Sequence, residues 1–178
     1  DRHTKTNISG RQSLLRILRF VRSLPGCENT FVVKAQAETA VRETYRIIGE
    51  EKISCQDYVN GRVFDDAVSY SFYPIDLHDR DGVKPQPLRE GVVATVPIRA
   101  LIPKGSKNLL VAGRSISSDR LANSALRVQA SSMAMGQAAG AAAALSASQG
   151  KSPIQIQISE LRQLLLQHQA VVPIPEFA

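Results

Sequence analysis

Apolar side chains recur along this chain in two rhythms, one helical and one extended. Over residues 11–24, Leu14, Leu15, Ile17, Leu18, Val21 and Leu24 fall at helical spacing while Arg16, Arg19 and Arg22 line another side. That segment is predicted to be a helix, stopped by Pro25-Gly26. Residues 31–37 (FVVKAQA) read as a strand, and residues 40–48 as a second extended segment around Arg42, Glu43 and Arg46. Ser54 with Asp57 three residues later has the spacing of a capped helix start, and Asn60-Gly61 marks a turn. Tyr70, Phe72 and Ile75 favour a strand within residues 67–78, with Pro74 placing it at an edge or a bend. Residues 92–98 are extended again, and Pro103-Lys104-Gly105 turns the chain towards residues 109–113.

Residues 108–145 then read NLLVAGRSISSDRLANSALRVQASSMAMGQAAGAAAAL: a short buried strand, a polar loop and one long helix of small residues. In the tail, Ile154, Ile156 and Ile158 alternate as in a strand, and a capped helix is predicted from about Ser159 to His168. Strands separated by loops, with helices at both ends, make the fold class α/β, or α+β for the chain in isolation.

The long helix carries the most chemistry. If Ser124 caps it, Arg127 lies in its first turn, close to whatever the helix N-terminus faces. Such an end offers unpaired N–H groups and partial positive charge to an anion or an electron-rich ring. Gly136 and Gly140, followed by Ala144, share one face and allow another backbone to approach. A tightly packed core helix has the same pattern. The difference here is the strand ending in Gly113-Arg114 and a loop bearing Ser115, Ser117, Ser118, Asp119, Arg120 and Asn123.

Composition narrows the classes. The 178 residues suffice for one domain with a core, and 43% hydrophobic with 21% charged residues is a soluble globular balance. No apolar run is long enough to span a bilayer, because Arg127, Gln129, Ser131, Ser132 and Gln137 interrupt the alanine-rich helix. The net charge of +6 is concentrated before residue 25, where six cations face Asp1 alone. With no Trp and few Tyr or Phe, those arginines read as a solvated helix face rather than a nucleic-acid site. Cys27 and Cys55 are expected to be free thiols, with one bridge between them as the alternative, and no metal-site spacing exists. The run around Gly82 fails as a calcium loop, because Leu77 and Leu88 fall where acids are required.

Four segments in order, residues 41–51 (VRETYRIIGEE), 73–82 (YPIDLHDRDG), the strand IPKGSKNLLVAGRSIS and the helix SALRVQASSMAMGQAAGAAAAL, closely resemble the C-terminal part of bacterial FAD-dependent oxidoreductases of the glutathione-reductase-like superfamily. The resemblance implies the C-terminal part of a Rossmann-like FAD domain joined to part of a strand-rich substrate domain. Residues 1–105 would be a helix plus substrate-domain strands, residues 106–150 the returning strand and flavin-facing helix, and residues 151–178 a strand and helix tail. It also implies cofactor contacts from Gly113, Arg114, Ser115, Ser124, Arg127, Gln129 and Gly136. FAD would be the cofactor, held by the parent protein and not by this chain alone. The pattern departs from the family at two places. No G-x-G-x-x-G, the turn that holds the pyrophosphate, occurs in the chain, so an N-terminal FAD-binding segment is expected to be missing. Arg114 stands where many members carry a ribityl-binding Asp.

On the substrate side, His78 and Tyr73 are the catalytic candidates, the imidazole being the natural proton shuttle as a residue type. A loop histidine satisfied by Asp76 and Asp79 fits the same residues. Arg42, Glu43 and Arg46 suit either a carboxylate clamp or a cross-strand ion-pair ladder. Met133 and Met135 read as core filler. The function expected is that of a flavoenzyme fragment acting on an unidentified small molecule, inactive without the dinucleotide-binding unit. The alternative is a non-catalytic interaction or assembly domain without cofactor. Neither nucleic acid nor membrane is expected as a partner, a homo-oligomer is compatible with exposed strand edges, and the compartment stays open between cytoplasm and export.

Overall fold

A computed structural model describes residues 2–42, 45–79, 82–83 and 85–173. The chain divides into two units, Asp1–Val41 and Arg42–Ala178. In the first, α1 spans Arg2–Arg22, starting well before the apolar periodicity that predicts it. Residues 23–41 fold back on the helix without forming a strand. Thr39 N–H donates to Asn7 Oδ1 (2.7 Å), and Arg11 Nη2 donates to the Ala37 carbonyl (3.2 Å). Gly10 is where that return passes closest, since a Cβ there would run into Thr39 Oγ1. No residue of α1 is buried. The predicted strand at residues 31–37 is therefore corrected: no ladder pairs it, and Val33 stands 87% exposed.

The second unit is mixed α/β. Its elements are α2 (Cys55–Val59), β1 (Ala67–Ser71), β2 (His78–Asp79), β3 (Gly82–Val83), β4 (Ala94–Pro97), α3 (Arg120–Leu126), α4 (Gln129–Gln149) and α5 (Ile158–Gln167). β1 pairs antiparallel with β4, Tyr70 opposite Thr95 and Ser71 opposite Ala94, with a bulge between Ala67 and Ser69. β2 and β3 form a short hairpin, extended by the bridge between Ile75 and Gln86. Helix α4 packs on β1, and α5 packs on α4. Ile53, Tyr58, Val96, Leu101, Leu126 and Met135 fill one core cluster. Val68, Ile98, Ile102, Ala138, Leu161 and Leu165 fill the other. The 21-residue α4 serves both, because Ala138 and Ala142 are small enough to let α5 close in while Met135 reaches the first cluster.

Local polar bonds fix the loops that feed the sheet. Ser54 and Asp57 form the expected capping box on α2, each side chain accepting the other's backbone N–H at 3.0 Å. Buried Thr95 donates to the Arg62 carbonyl (2.9 Å) and accepts from Phe64 N–H (3.2 Å). Asp66 takes Arg99 bidentately at 2.9 and 3.1 Å, so the turn after β4 is clamped to the start of β1.

Four further expectations are revised. The long helix is two helices, broken at Arg127-Val128. Residues 108–112 form no strand: Val111 N–H donates to the Leu101 carbonyl, yet Leu109 is 53% exposed. Residues 40–48 form no ladder among the described residues, and Glu43 lies outside those residues. The alternating isoleucines of the tail lie in a 3-10 turn (Pro153–Gln155) and at the start of α5, whose Gln157 cap makes no side-chain bond. In the last three cases the residues have strand-like patterning, but no neighbouring strand among the described residues supplies the hydrogen bonds a ladder requires. No helix among the described residues is long and apolar enough to cross a membrane.

Burial alone would push the Asp57 carboxyl up, but hydrogen bonds from Ser54, and then the Arg62 guanidinium, hold it below its ordinary value. Ser54→Ala is expected to lower the unfolding free energy by about 1 kcal/mol at neutral pH. Because the folded pKa is depressed, the share due to the Asp57 carboxylate is complete above the unfolded value of about 3.9 and fades as pH falls through the folded one. Urea titrations of both proteins should therefore show the gap narrowing in acid. A gap that does not change with pH contradicts the capping-box assignment.

Candidate functional site

The junction between α3 and α4 organises the residues singled out above. Asp119 caps α3, its Oδ1 accepting from Ala122 N–H (2.8 Å) and its Oδ2 from Cys55 N–H (2.6 Å). The helix ends at Arg127, and Val128 turns extended (φ −72°, ψ 159°) before α4 begins at Gln129. A valine has no side-chain acceptor, and α4 accordingly carries no side-chain cap. Its first-turn residues Gln129 and Ala130 are exposed. The positive end of a 21-residue helix is thus left open.

Ser124 is not the cap expected from sequence. It is buried in the last turn of α3, where its hydroxyl donates to the Leu121 carbonyl (2.7 Å) and accepts from Asp76 N–H (3.1 Å). Nor does Arg127 lie in the first turn of the long helix; it closes α3 and donates through Nη2 to the Asp76 carbonyl (3.1 Å). The two residues together hold both backbone polar groups of Asp76. From there the Asp76 carboxylate reaches His78 Nε2 at 3.3 Å, and Arg42 Nη2 reaches His78 Nδ1 at 3.0 Å. His78 and Arg127, far apart in sequence, are joined through one aspartate.

The remaining candidates flank this cluster. Gly113, Arg114 and Ser115 form a 3-10 turn whose carbonyls accept from Asn123 Nδ2 (at Arg114, 3.1 Å) and Ile47 N–H (at Ser115, 2.9 Å). Gly113 has φ +75°, and a Cβ there would lie 3.7 Å from Ser132 Oγ, so the turn rests against the first turns of α4. Gly136 lies further along α4 and is exposed; a Cβ there would meet nothing within 4 Å, so no backbone of the described residues uses the space. Tyr73 contributes its carbonyl, which accepts from Tyr58 (2.7 Å), while its partly exposed ring stands outside the His78 cluster. Among the described residues no set of three metal-ligating side chains gathers.

Sequence reasoning missed a buried hydroxyl chain. Tyr58 Oη lies 3.0 Å from Ser71 Oγ, which lies 2.9 Å from Ser131 Oγ in the first turn of α4. Burial pushes the Tyr58 hydroxyl above its ordinary pKa, so it keeps its proton. A carbonyl only accepts, hence Tyr58 donates to Tyr73 and must accept from Ser71, which accepts from Ser131. Every donor therefore points away from the α4 terminus. The only sequence signal was a tyrosine on a capped short helix, because the serines become partners only through the β1–α4 packing.

A groove of about 990 Å³ lies away from this cluster, between residues 107–110 and the C-terminal half of α4 around Ala139, Ala143 and Ala147. It contains none of the polar groups just described.

The unit is mixed α/β, and the α4 terminus, which has no side-chain cap, lies against the positive-φ turn at Gly113. The chain belongs to the FAD dependent oxidoreductase family, whose model matches residues 2–165. Comparison with curated proteins and with solved structures gave no match.

At Gly113 the added Cβ finds ordinary contact distance, so substitution acts through backbone strain and not through a clash. Gly113→Ala is expected to destabilise the protein by about 1–2 kcal/mol. Urea unfolding measures it, and an unchanged midpoint would show that the turn relaxes freely.

Proposed function

We propose that this chain is the part of an FAD-dependent oxidoreductase that presents the N-terminus of α4 to the flavin, and that a dinucleotide-binding unit elsewhere in the protein completes it. The observation carrying the reading is the uncapped α4 end beside Gly113, in a chain of the FAD dependent oxidoreductase family. The fit is one-sided. The helix end and the glycine turn suit the electron-rich pyrimidine edge of an isoalloxazine, whereas no G-x-G-x-x-G exists here to hold the pyrophosphate.

The surfaces left uncovered agree with a missing unit. Residues 108–112 run extended without a partner strand among the described residues, and the Gly136 and Gly140 positions of α4 have open space beside them. In this reading residues 108–112 become a strand of a Rossmann-like sheet. The superfamily is the glutathione-reductase-like one and the source bacterial, as the sequence resemblance implies. Gly136 acts through its missing side chain, letting the cofactor-bearing backbone approach.

Bound FAD supplies the hydride-accepting chemistry. The chain's own residues set the surroundings. The α4 terminus favours negative charge by about 0.3–1 kcal/mol, rising to about 2 kcal/mol when partly buried. Gly113, Arg114, Ser115 and Gln129 line the cofactor side, and Arg127 adds a fixed cation while bracing Asp76. Ser124 acts indirectly, by holding Asp76 N–H. His78 is the proton-handling group on the substrate side, and Tyr73 orients a small-molecule substrate.

The test is a flavin absorbance spectrum after gel filtration of the protein expressed with its upstream coding sequence. A co-eluting yellow cofactor is expected. Arg127→Ala is expected to weaken flavin affinity about tenfold, or roughly 1.4 kcal/mol. A folded protein that stays colourless with added FAD would overturn the reading.

A further inference from the structure

His78 is held between opposite charges, and the arrangement fixes more than its position. Arg42 Nη2 stands 3.0 Å from Nδ1, and the Asp76 carboxylate 3.3 Å from Nε2. A guanidinium has donors only and does not lose its proton in proteins. Nδ1 must therefore offer its lone pair to Arg42, and the ring proton sits on Nε2, where Asp76 accepts it. Which nitrogen carries the proton is set by the neighbours of the ring. The Asp76 backbone is anchored: its N–H donates to Ser124 Oγ and its carbonyl accepts from Arg127 Nη2.

The nitrogen able to accept a proton is thus the one that Arg42 covers. Arg42 is exposed, and the His78 side chain is 37% exposed against 17% for Asp76. The Asp76 side of the ring is inward and the Arg42 side faces solvent, so an arriving ligand meets the guanidinium first. A guanidinium and a carboxylate carry opposite charges and can pair through two parallel bonds. A neutral imidazole nitrogen gives Arg42 one bond and no opposite charge, and is the weaker competitor.

We propose that Arg42 determines specificity for a carboxylate-bearing substrate. On pairing with the carboxylate it leaves Nδ1, uncovering the lone pair of a ring that Asp76 keeps in one tautomer. A substrate with no anionic group leaves Nδ1 covered by Arg42. Among the described residues, the charged groups bonded to the ring are Arg42 and Asp76, with Arg127 acting on the Asp76 carbonyl. The inference takes its purpose from the flavoenzyme reading, and its test needs no flavin.

Long-range nitrogen–proton NMR of the full chain reports the tautomer and the environment of each ring nitrogen. The wild type should show the proton on Nε2. Succinate, at ionic strength matched with sodium chloride, should shift the Nδ1 resonance saturably, and succinamide should not. Arg42→Ala should show the shifted Nδ1 resonance from the start and lose the succinate response, and Arg42→Lys should recover part of it. Backbone amide spectra establish that both variants are folded. A proton on Nδ1 in the wild type, an equal response to sodium chloride, or a succinate response surviving in Arg42→Ala overturns the proposal. Any of these outcomes leaves flavin binding untouched, and a colourless protein with the expected NMR behaviour would strike the flavoenzyme reading alone.

Discussion

Everything at the candidate site depends on the break between α3 and α4. Had the helix run through Arg127-Val128, the N–H groups of Gln129 and Ala130 would be spent on intrahelical bonds and the positive end would lie nearer Asp119, which caps it. The extended backbone at Val128 instead creates a second N-terminus with no side chain to close it. The same break leaves Ser124 and Arg127 on the last turn of α3, one turn apart, where each takes one backbone group of Asp76. An open helix end and an anchored acid–imidazole pair thus have a single structural cause.

The rest of the unit keeps that end in place. Met135, Ala138 and Ala142 bury one face of α4 against both core clusters. Ser131 ties its first turn through Ser71 to Tyr58, which is fully buried. Because hydroxyls are strong partners when buried together, this chain resists rotation of α4 in a way that alanine packing alone does not. The turn at Gly113, with φ +75°, also packs against α4. Core packing and the hydroxyl chain together set the position of the α4 terminus within the unit.

Legibility from sequence followed the range of the interactions. The Ser54–Asp57 capping box and the turns at Gly61 and Gly105 rest on neighbours in sequence and were readable. Residues 31–37 and 108–112 have strand composition, but a strand exists only where a partner supplies its ladder, and composition does not disclose the partner. Ser124 misled for a physical reason: a serine ahead of a helical run has the same chemistry whether it caps the next helix or back-bonds to Leu121 in the one before. His78 and Arg127 were recognisable as residue types suited to proton and anion chemistry. Their connection through the backbone of Asp76, and the Arg42 bond to His78, arise only in three dimensions.

The proposed orientation of α4 towards a flavin is the central claim, and a crystal structure of the full-length protein with FAD bound examines it directly. The expected result has the pyrimidine edge of the isoalloxazine on the N–H groups of Gln129 and Ala130, with Gly113 alongside. A flavin seated elsewhere, with the α4 terminus open to solvent, would contradict it.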